Sequence, residues 1–190
     1  MKAAATTVWA RAVAQELARC GVREVVVAPG SRSTPLVLAL ARHDGFRMRV
    51  HMDERSAAFF ALGVGKATGR PAAVITTSGT ATANLLPAVV EAAQAETPLL
   101  LLTADRPARL RGADANQAID QHGLYGPYPR AFFQVAEATL EGPALRHLRS
   151  QVCRAVAASL GAPAGPVHMN VPFDKPLEPV EGSDEVEAFR

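Results

Sequence analysis

The chain has 190 residues, 48% of them hydrophobic and 20% charged, and a formal net charge of +2 at pH 7. That composition fits a globular chain large enough to bury a core and excludes a disordered one. The small charge gives no electrostatic footprint for nucleic acid, and no apolar run approaches the ~20 residues that span a bilayer.

Thr6 to Arg19 reads as an amphipathic helix, with Trp9, Val13 and Leu17 on its apolar face and Val8, Ala12, Gln15 and Arg19 off it. Arg11, Gln15 and Glu16 interrupt any apolar region of the signal-peptide type there. Gly21 ends the helix, and Glu24 to Ala28 carries a β-branched run typical of a strand covered on both faces. Pro29 to Ser33 then turns into a helix over Thr34 to Ala41, with Ser33 or Thr34 as cap and Pro35 in its first turn. A second strand spans Phe46 to His51. A helix follows from Glu54 to about Thr68, its small and apolar residues recurring at 57, 58, 61, 64 and 65.

Ala72 to Thr76 reads as a third strand, and a helix runs from Thr77 to about Ala95 with an interruption predicted at Pro87. Pro98 to Thr103 is a fourth strand, and residues 104–128 are polar and irregular. A strand over Phe132 to Ala136, a helix over Gly142 to Ser159 and a strand over Val167 to Val171 complete the pattern. The expected domain covers residues 1–172. The acidic, Pro-containing stretch 173–190 reads as a linker or tail toward domains beyond this chain. Strands alternating with helices predict an α/β fold: a doubly wound, mostly parallel six-stranded sheet with helices on both faces.

In such a sheet ligands bind beyond the carboxyl ends of the strands. Four unusual segments directly follow strands: Pro29 to Ser33, Asp53-Glu54, Thr77 to Thr80, and Ala104 to Pro107. Taken alone, Asp53 reads as a helix cap and Glu54 as compensation of the helix dipole. The convergence of four segments on one rim shifts Glu54 toward function. Other motifs fail on context. The glycines at 63, 65 and 69 fall late in a helix, unlike a Rossmann or phosphate-binding loop. Thr76 stands where a nucleophile elbow needs its first glycine. His51 and Asp53 have poor metal spacing, and no metal ligand is expected in this chain. Lys2, Lys66 and Lys175 are the only lysines, so Schiff-base chemistry has few candidates; the arginines suit carboxylates and phosphates. Two distant cysteines, Cys20 and Cys153, fit a reducing, cytoplasmic setting.

Ala28-Pro29-Gly30-Ser31-Arg32-Ser33-Thr34-Pro35-Leu36, His51 to Gly63, Thr76 to Asn84, Thr103 to Pro107 and Ala115 to Ile119 together resemble the N-terminal, pyrimidine-binding domain of the SEPHCHC synthase family. These are thiamine-diphosphate enzymes of menaquinone biosynthesis. The resemblance implies a transferase that decarboxylates 2-oxoglutarate and adds the succinyl carbanion to isochorismate. It implies that Glu54 is catalytic, exchanging a proton with N1′ of the cofactor's aminopyrimidine, and that Pro29, Thr80 and Asn84 contact that ring. Some relatives have proline at the position of Thr80. It implies that Ser31, Arg32, Arg106 and Gln117 line the substrate pocket. Mg2+ or Mn2+ ligands belong to a Gly-Asp-Gly domain that this chain lacks, so the chain alone is expected to be inactive. In full length the resemblance implies a homodimer or homotetramer. Two alternatives stand beside it: the same domain of another thiamine-diphosphate decarboxylase or acetolactate-type synthase, and a catalytically silent dimerisation domain.

Overall fold

The computed structural model describes residues 1–180, 182 and 184–187. Helix α1 (Lys2–Arg19) leads to β1 (Glu24–Val27), a 3₁₀ turn (Ser31–Ser33), α2 (Thr34–Ala41), β2 (Arg47–Val50), α3 (Glu54–Thr68) and β3 (Ala72–Thr76). There follow a single-turn α4 (Thr80–Ala83), α5 (Leu86–Gln94) and β4 (Leu99–Asp105). A long connection with a 3₁₀ turn at Ala108–Leu110 reaches β5 (Ala131–Gln134), then α6 (Gly142–Leu160), β6 (Pro166–Pro172) and α7 (Asp184–Glu187).

The strands form one sheet in the order β2-β1-β3-β4-β6-β5, every pair parallel. This is the doubly wound sheet read from the alternation. The chain steps outward from β1 to β2 and returns across β1 to β3, so the winding reverses between β1 and β3. Strand pairing aligns Val50, Val27, Ile75, Leu102, Met169 and Phe133 in one transverse row. Everything that follows this row on β1 to β4 emerges on the same rim.

Alternation along the strands divides the core in two. Val25, Val27, Ala73, Ile75, Leu100 and Leu102 pack under α1, α2 and α6. Val26, Val74, Leu99 and Leu101 pack under α3 and α5, with Tyr125 from the long connection. Each fully buried leucine contributes about 1.5–3 kcal/mol of transfer free energy relative to exposure. Strand β2 is the exposed exception: it lies at the sheet edge, and Arg47 and Arg49 pair with Glu24 of β1. Charge on an edge strand discourages pairing with another chain.

Three expectations need correction. Helix α1 begins at Lys2 and is buried nearly all round, Val8 and Ala12 included, because α2, α6 and α7 pack on it from different sides. An amphipathic reading assumes one covered face; a helix rich in alanine tolerates several. The helix expected over Thr77 to Ala95 is two helices. The first starts only at Thr80, since Gly79 adopts φ 83. The break falls at Asn84 and Leu85, ahead of Pro87, which occupies the first turn of α5, where its missing N–H is harmless. Strand β4 runs two residues past the expected Thr103, to Asp105, because β6 continues beside it to Pro172.

The stretch after residue 172, read from composition as a linker or tail, places Phe173, Leu177 and Val186 in the larger core. The Val180 N–H donates to Thr7 Oγ1 at 3.0 Å. Residues 181, 183 and 188–190 lie outside those described. Among the described residues no helix is long and apolar enough to cross a membrane.

Candidate active site

Four rim segments carry the candidate residues. After β1 the backbone passes so close to β3 that a Cβ on Gly30 would lie 2.5 Å from Thr77 Cβ. Only glycine fits there. The 3₁₀ turn is closed by Ser33 Oγ donating to Gly30 O at 2.9 Å, so Ser33 braces the preceding turn and provides no side-chain cap for α2. The Arg32 N–H donates to Thr77 Oγ1 at 3.3 Å, and its guanidinium donates from Nη1 to Phe173 O at 2.8 Å. Arg32 is only 8% exposed, and among the described residues its Nε has no partner. Burial, and then the neighbouring Arg106 cation, push its guanidinium below the ordinary arginine value. Asp174 and Asp105 offset part of this, and an unpaired donor on a buried cation suits an anion.

After β2, Asp53 and Glu54 divide their tasks. The Ser56 N–H donates to Asp53 Oδ1 at 2.7 Å, so Asp53 is the cap of α3 and sits below the ordinary carboxylate range through that backbone bond. Glu54, half-buried in the first turn, accepts one hydrogen bond among the described residues, from Asn84 Nδ2 at 3.1 Å. Glu54 and Asn84 therefore meet across the ends of β2 and β3. Thr80 is exposed at the start of α4, one turn before Asn84, whose N–H donates to Thr80 O at 3.1 Å.

After β3 and β4, Ser78, Arg106 and Gln117 come together. Arg106 Nη1 donates to Ser78 Oγ, and to Gln117 O at 2.8 Å; Ser78 Oγ donates to the same carbonyl at 3.1 Å. Gln117 adopts φ 56, and a Cβ on Gly79 would lie 2.9 Å from Gln117 Cγ and O. The structure thus holds Gln117 by its backbone, and its side chain is exposed. Ser31 stands apart from this group: it lines a cavity of about 360 Å³ with Pro29, Thr34 and Val37. Arg32 and Arg106 instead line a rim cavity of about 480 Å³ with Lys2, Arg109, Leu110, Asp174 and Lys175. Within this cavity Asp174 pairs with Arg109 at 2.9 Å and Lys2 at 3.4 Å. One carboxylate among five cations leaves the cavity positive.

A buried polar ladder beneath the rim escapes a sequence reading. Asn170 on β6 is fully buried. Its Nδ2 donates to Asp105 Oδ2 at 2.7 Å and Gln134 Oε1 at 3.0 Å. Its Oδ1 accepts from Thr103 Oγ1 at 2.9 Å and Gln121 Nε2 at 2.7 Å. Gln121 Oε1 in turn accepts the Gly79 N–H at 2.9 Å, tying the long connection to the β3 turn. His168 Nε2 lies 2.8 Å from Thr103 Oγ1, and burial, reinforced by His122, lowers its pKa to about 3. The available signal was His168 and Asn170 interrupting an apolar strand. Lys2 and Lys175 carried no local signal, since their segments meet only in the fold, and the run Arg106, Arg109, Arg111 reads in isolation as a solvated loop.

The family described as thiamine pyrophosphate enzyme, N-terminal TPP binding domain, matches residues 8–124. The chain is 61% identical over 174 residues to a 2-succinyl-5-enolpyruvyl-6-hydroxy-3-cyclohexene-1-carboxylate (SEPHCHC) synthase of Halobacterium salinarum, covering 92% of this chain and 30% of that protein. It is 57% identical over 175 residues to a synthase of the same name from Chloroflexus aurantiacus, with 92% and 30% covered. Against that of Natronomonas pharaonis it is 52% identical over 178 residues, with 94% and 30% covered. The chain therefore spans about 30% of the length of these curated relatives. A parallel sheet whose rim presents Glu54 at a helix start agrees with the family match, and the chain belongs to the N-terminal TPP-binding domain family of thiamine pyrophosphate enzymes.

Proposed function

We propose that this chain is the pyrimidine-binding domain of a SEPHCHC synthase, a transferase joining a succinyl unit from 2-oxoglutarate to isochorismate. The observation that carries the reading is the sharing of one rim by the Glu54 carboxylate and a cation-lined cavity, beside sequence identity to synthases of that name. The residues fit an aminopyrimidine: Glu54 has acceptor capacity beyond its bond from Asn84, and Pro29 and Thr80 follow β1 and β3 on the same rim. When bound, thiamine diphosphate supplies the nucleophilic carbon and the electron sink for loss of carbon dioxide. Glu54 holds and exchanges the proton at N1′, and Asn84 orients the Glu54 carboxylate through the hydrogen bond to Oε2. Arg32 and Arg106 orient substrate carboxylates, with Ser31 and Gln117 at the margins of the site.

In this reading the divalent metal, Mg2+ or Mn2+, and the diphosphate are held by parts of the enzyme beyond this chain, which assembles as a homodimer or homotetramer in the cytoplasm. The test is product analysis with the full-length enzyme. Formation of SEPHCHC from 2-oxoglutarate and isochorismate, with little acetolactate from pyruvate, is expected. Preference for pyruvate would assign the chain to the acetolactate-type branch.

A further inference from the structure

The seam between α1 and α6 gathers soft and hard ligand atoms at the end of α1 opposite Lys2, which lines the rim cavity. Glu16 on α1 and Cys20, the residue that caps its C-terminus, stand four residues apart and hence on one side; Arg149 and Cys153 stand four apart on α6 and face them. Cys20 and Cys153 are the chain's only cysteines, both free thiols and both partly exposed. Their sulfurs lie 3.4 Å apart, and Cys153 Sγ lies 3.0 Å from Glu16 Oε1. All three ligand atoms fall within 4.8 Å of one another.

We propose that Glu16, Cys20 and Cys153 form a binding site for one thiophilic divalent cation of the zinc class. Tetrahedral zinc has bonds of about 2.3 Å to sulfur and about 2.1 Å to carboxylate oxygen, which puts two sulfur ligands about 3.8 Å apart and sulfur and oxygen about 3.6 Å apart. The Cys20–Cys153 and Cys153–Glu16 separations are within about 0.6 Å of these values, and the third pair lies within 4.8 Å, so small side-chain rotations close the site. Two thiolates and a carboxylate form one face of the tetrahedron, leaving the fourth position to water.

The surroundings orient the oxygen ligand. Glu16 Oε2 is held by Arg149 Nη1 at 3.0 Å and Arg19 Nη1 at 3.5 Å, which turns Oε1 toward Cys153. Arg149 is itself fixed by Gln15 Oε1 at 2.7 Å. Such outer contacts fix ligand direction at metal centres. Thiolate ligation releases the thiol protons when a cation binds.

The test is titration of the reduced chain with cobalt(II), a spectroscopic substitute for zinc. One equivalent should produce thiolate-to-cobalt charge-transfer absorption in the near ultraviolet, and one equivalent of zinc should abolish it. Cys20→Ala and Cys153→Ala should each remove the absorption. Glu16→Gln should weaken binding about tenfold or more, the scale of one unit charge lost at ligand distance in a solvated site. Should a variant fail to fold, alkylation of the wild type decides: zinc should protect both thiols together. Absorption that persists in either cysteine variant, or thiols that alkylate equally fast with and without zinc, would overturn the proposal. So would rapid Cys20–Cys153 cross-linking by a small disulfide that zinc does not slow, which would make the pair a redox couple instead.

Discussion

Asp53 and Glu54 are adjacent carboxylates with separable roles. In sequence either one serves as a helix-terminus charge. In the fold Asp53 takes the Ser56 N–H, and Glu54 turns to Asn84 at the end of α4. The same division separates Arg32 from Arg106. Arg32 is buried and supports the Phe173 carbonyl as well as the cavity; the Arg106 guanidinium braces the Ser78 and Gln117 turn. Arg106→Ala in the full-length enzyme is expected to lower kcat/KM by about 1.5–3 kcal/mol, the scale of a hydrogen bond to a charged group. Arg32→Ala is expected to lower kcat/KM and the melting temperature together, since Phe173 O loses its donor. Unchanged kinetics with a lower melting temperature in both variants would assign both arginines to the fold alone.

At the scale of elements, β4 and β6 are apolar strands that turn polar just before the rim. Leu99 to Leu102 face the two cores, and Thr103, His168 and Asn170 then form the ladder that anchors Gln121 and through it Gly79. His168 stays neutral in the fold because burial lowers its pKa from 6.5 to about 3. The unfolded chain therefore takes up a proton near pH 6.5 that the folded chain refuses. This group's contribution is intact above pH 6.5 and is lost as pH falls from there toward 3, on the order of a few kcal/mol in all. Denaturant unfolding of the wild type between pH 7 and pH 4 should show a steeper loss of stability than His168→Gln. Equal slopes would mean that His168 is solvated or already charged in the fold.

Element positions were legible where local chemistry dictates them. The cap at Asp53 and the left-handed Gly69 bound α3 at the residues the sequence suggests. Elements with non-local causes were not. Helix α1 is covered on several sides, α4 starts late because Gly79 packs against Gln117 of the long connection, and β4 lengthens because β6 lies alongside. The same holds at the site. Glu54, Arg32 and Arg106 follow strands and can be placed by topology. Lys2, Lys175 and Asp174 reach the cavity from segments at opposite ends of the chain. Cys20 and Cys153, 133 positions apart, gave no spacing signal for the same reason.

For the whole molecule, the order β2-β1-β3-β4-β6-β5 is what makes one rim of four separate turns. Glu54, Thr80 and Arg32 emerge around the reversal between β1 and β3, where parallel sheets of this kind bind ligands. In the proposed function Glu54 exchanges a proton with the aminopyrimidine. This exchange is tested most directly by hydrogen–deuterium exchange at C2 of thiamine diphosphate bound to the full-length enzyme, wild type against Glu54→Gln. The substitution keeps size and leaves the Asp53 cap in place, so the fold should survive. Exchange is expected to slow by about 10²–10⁴-fold, the usual contribution of a general acid–base group. Equal exchange rates in the two proteins would remove Glu54 from the chemistry and leave it a partner of the α3 dipole.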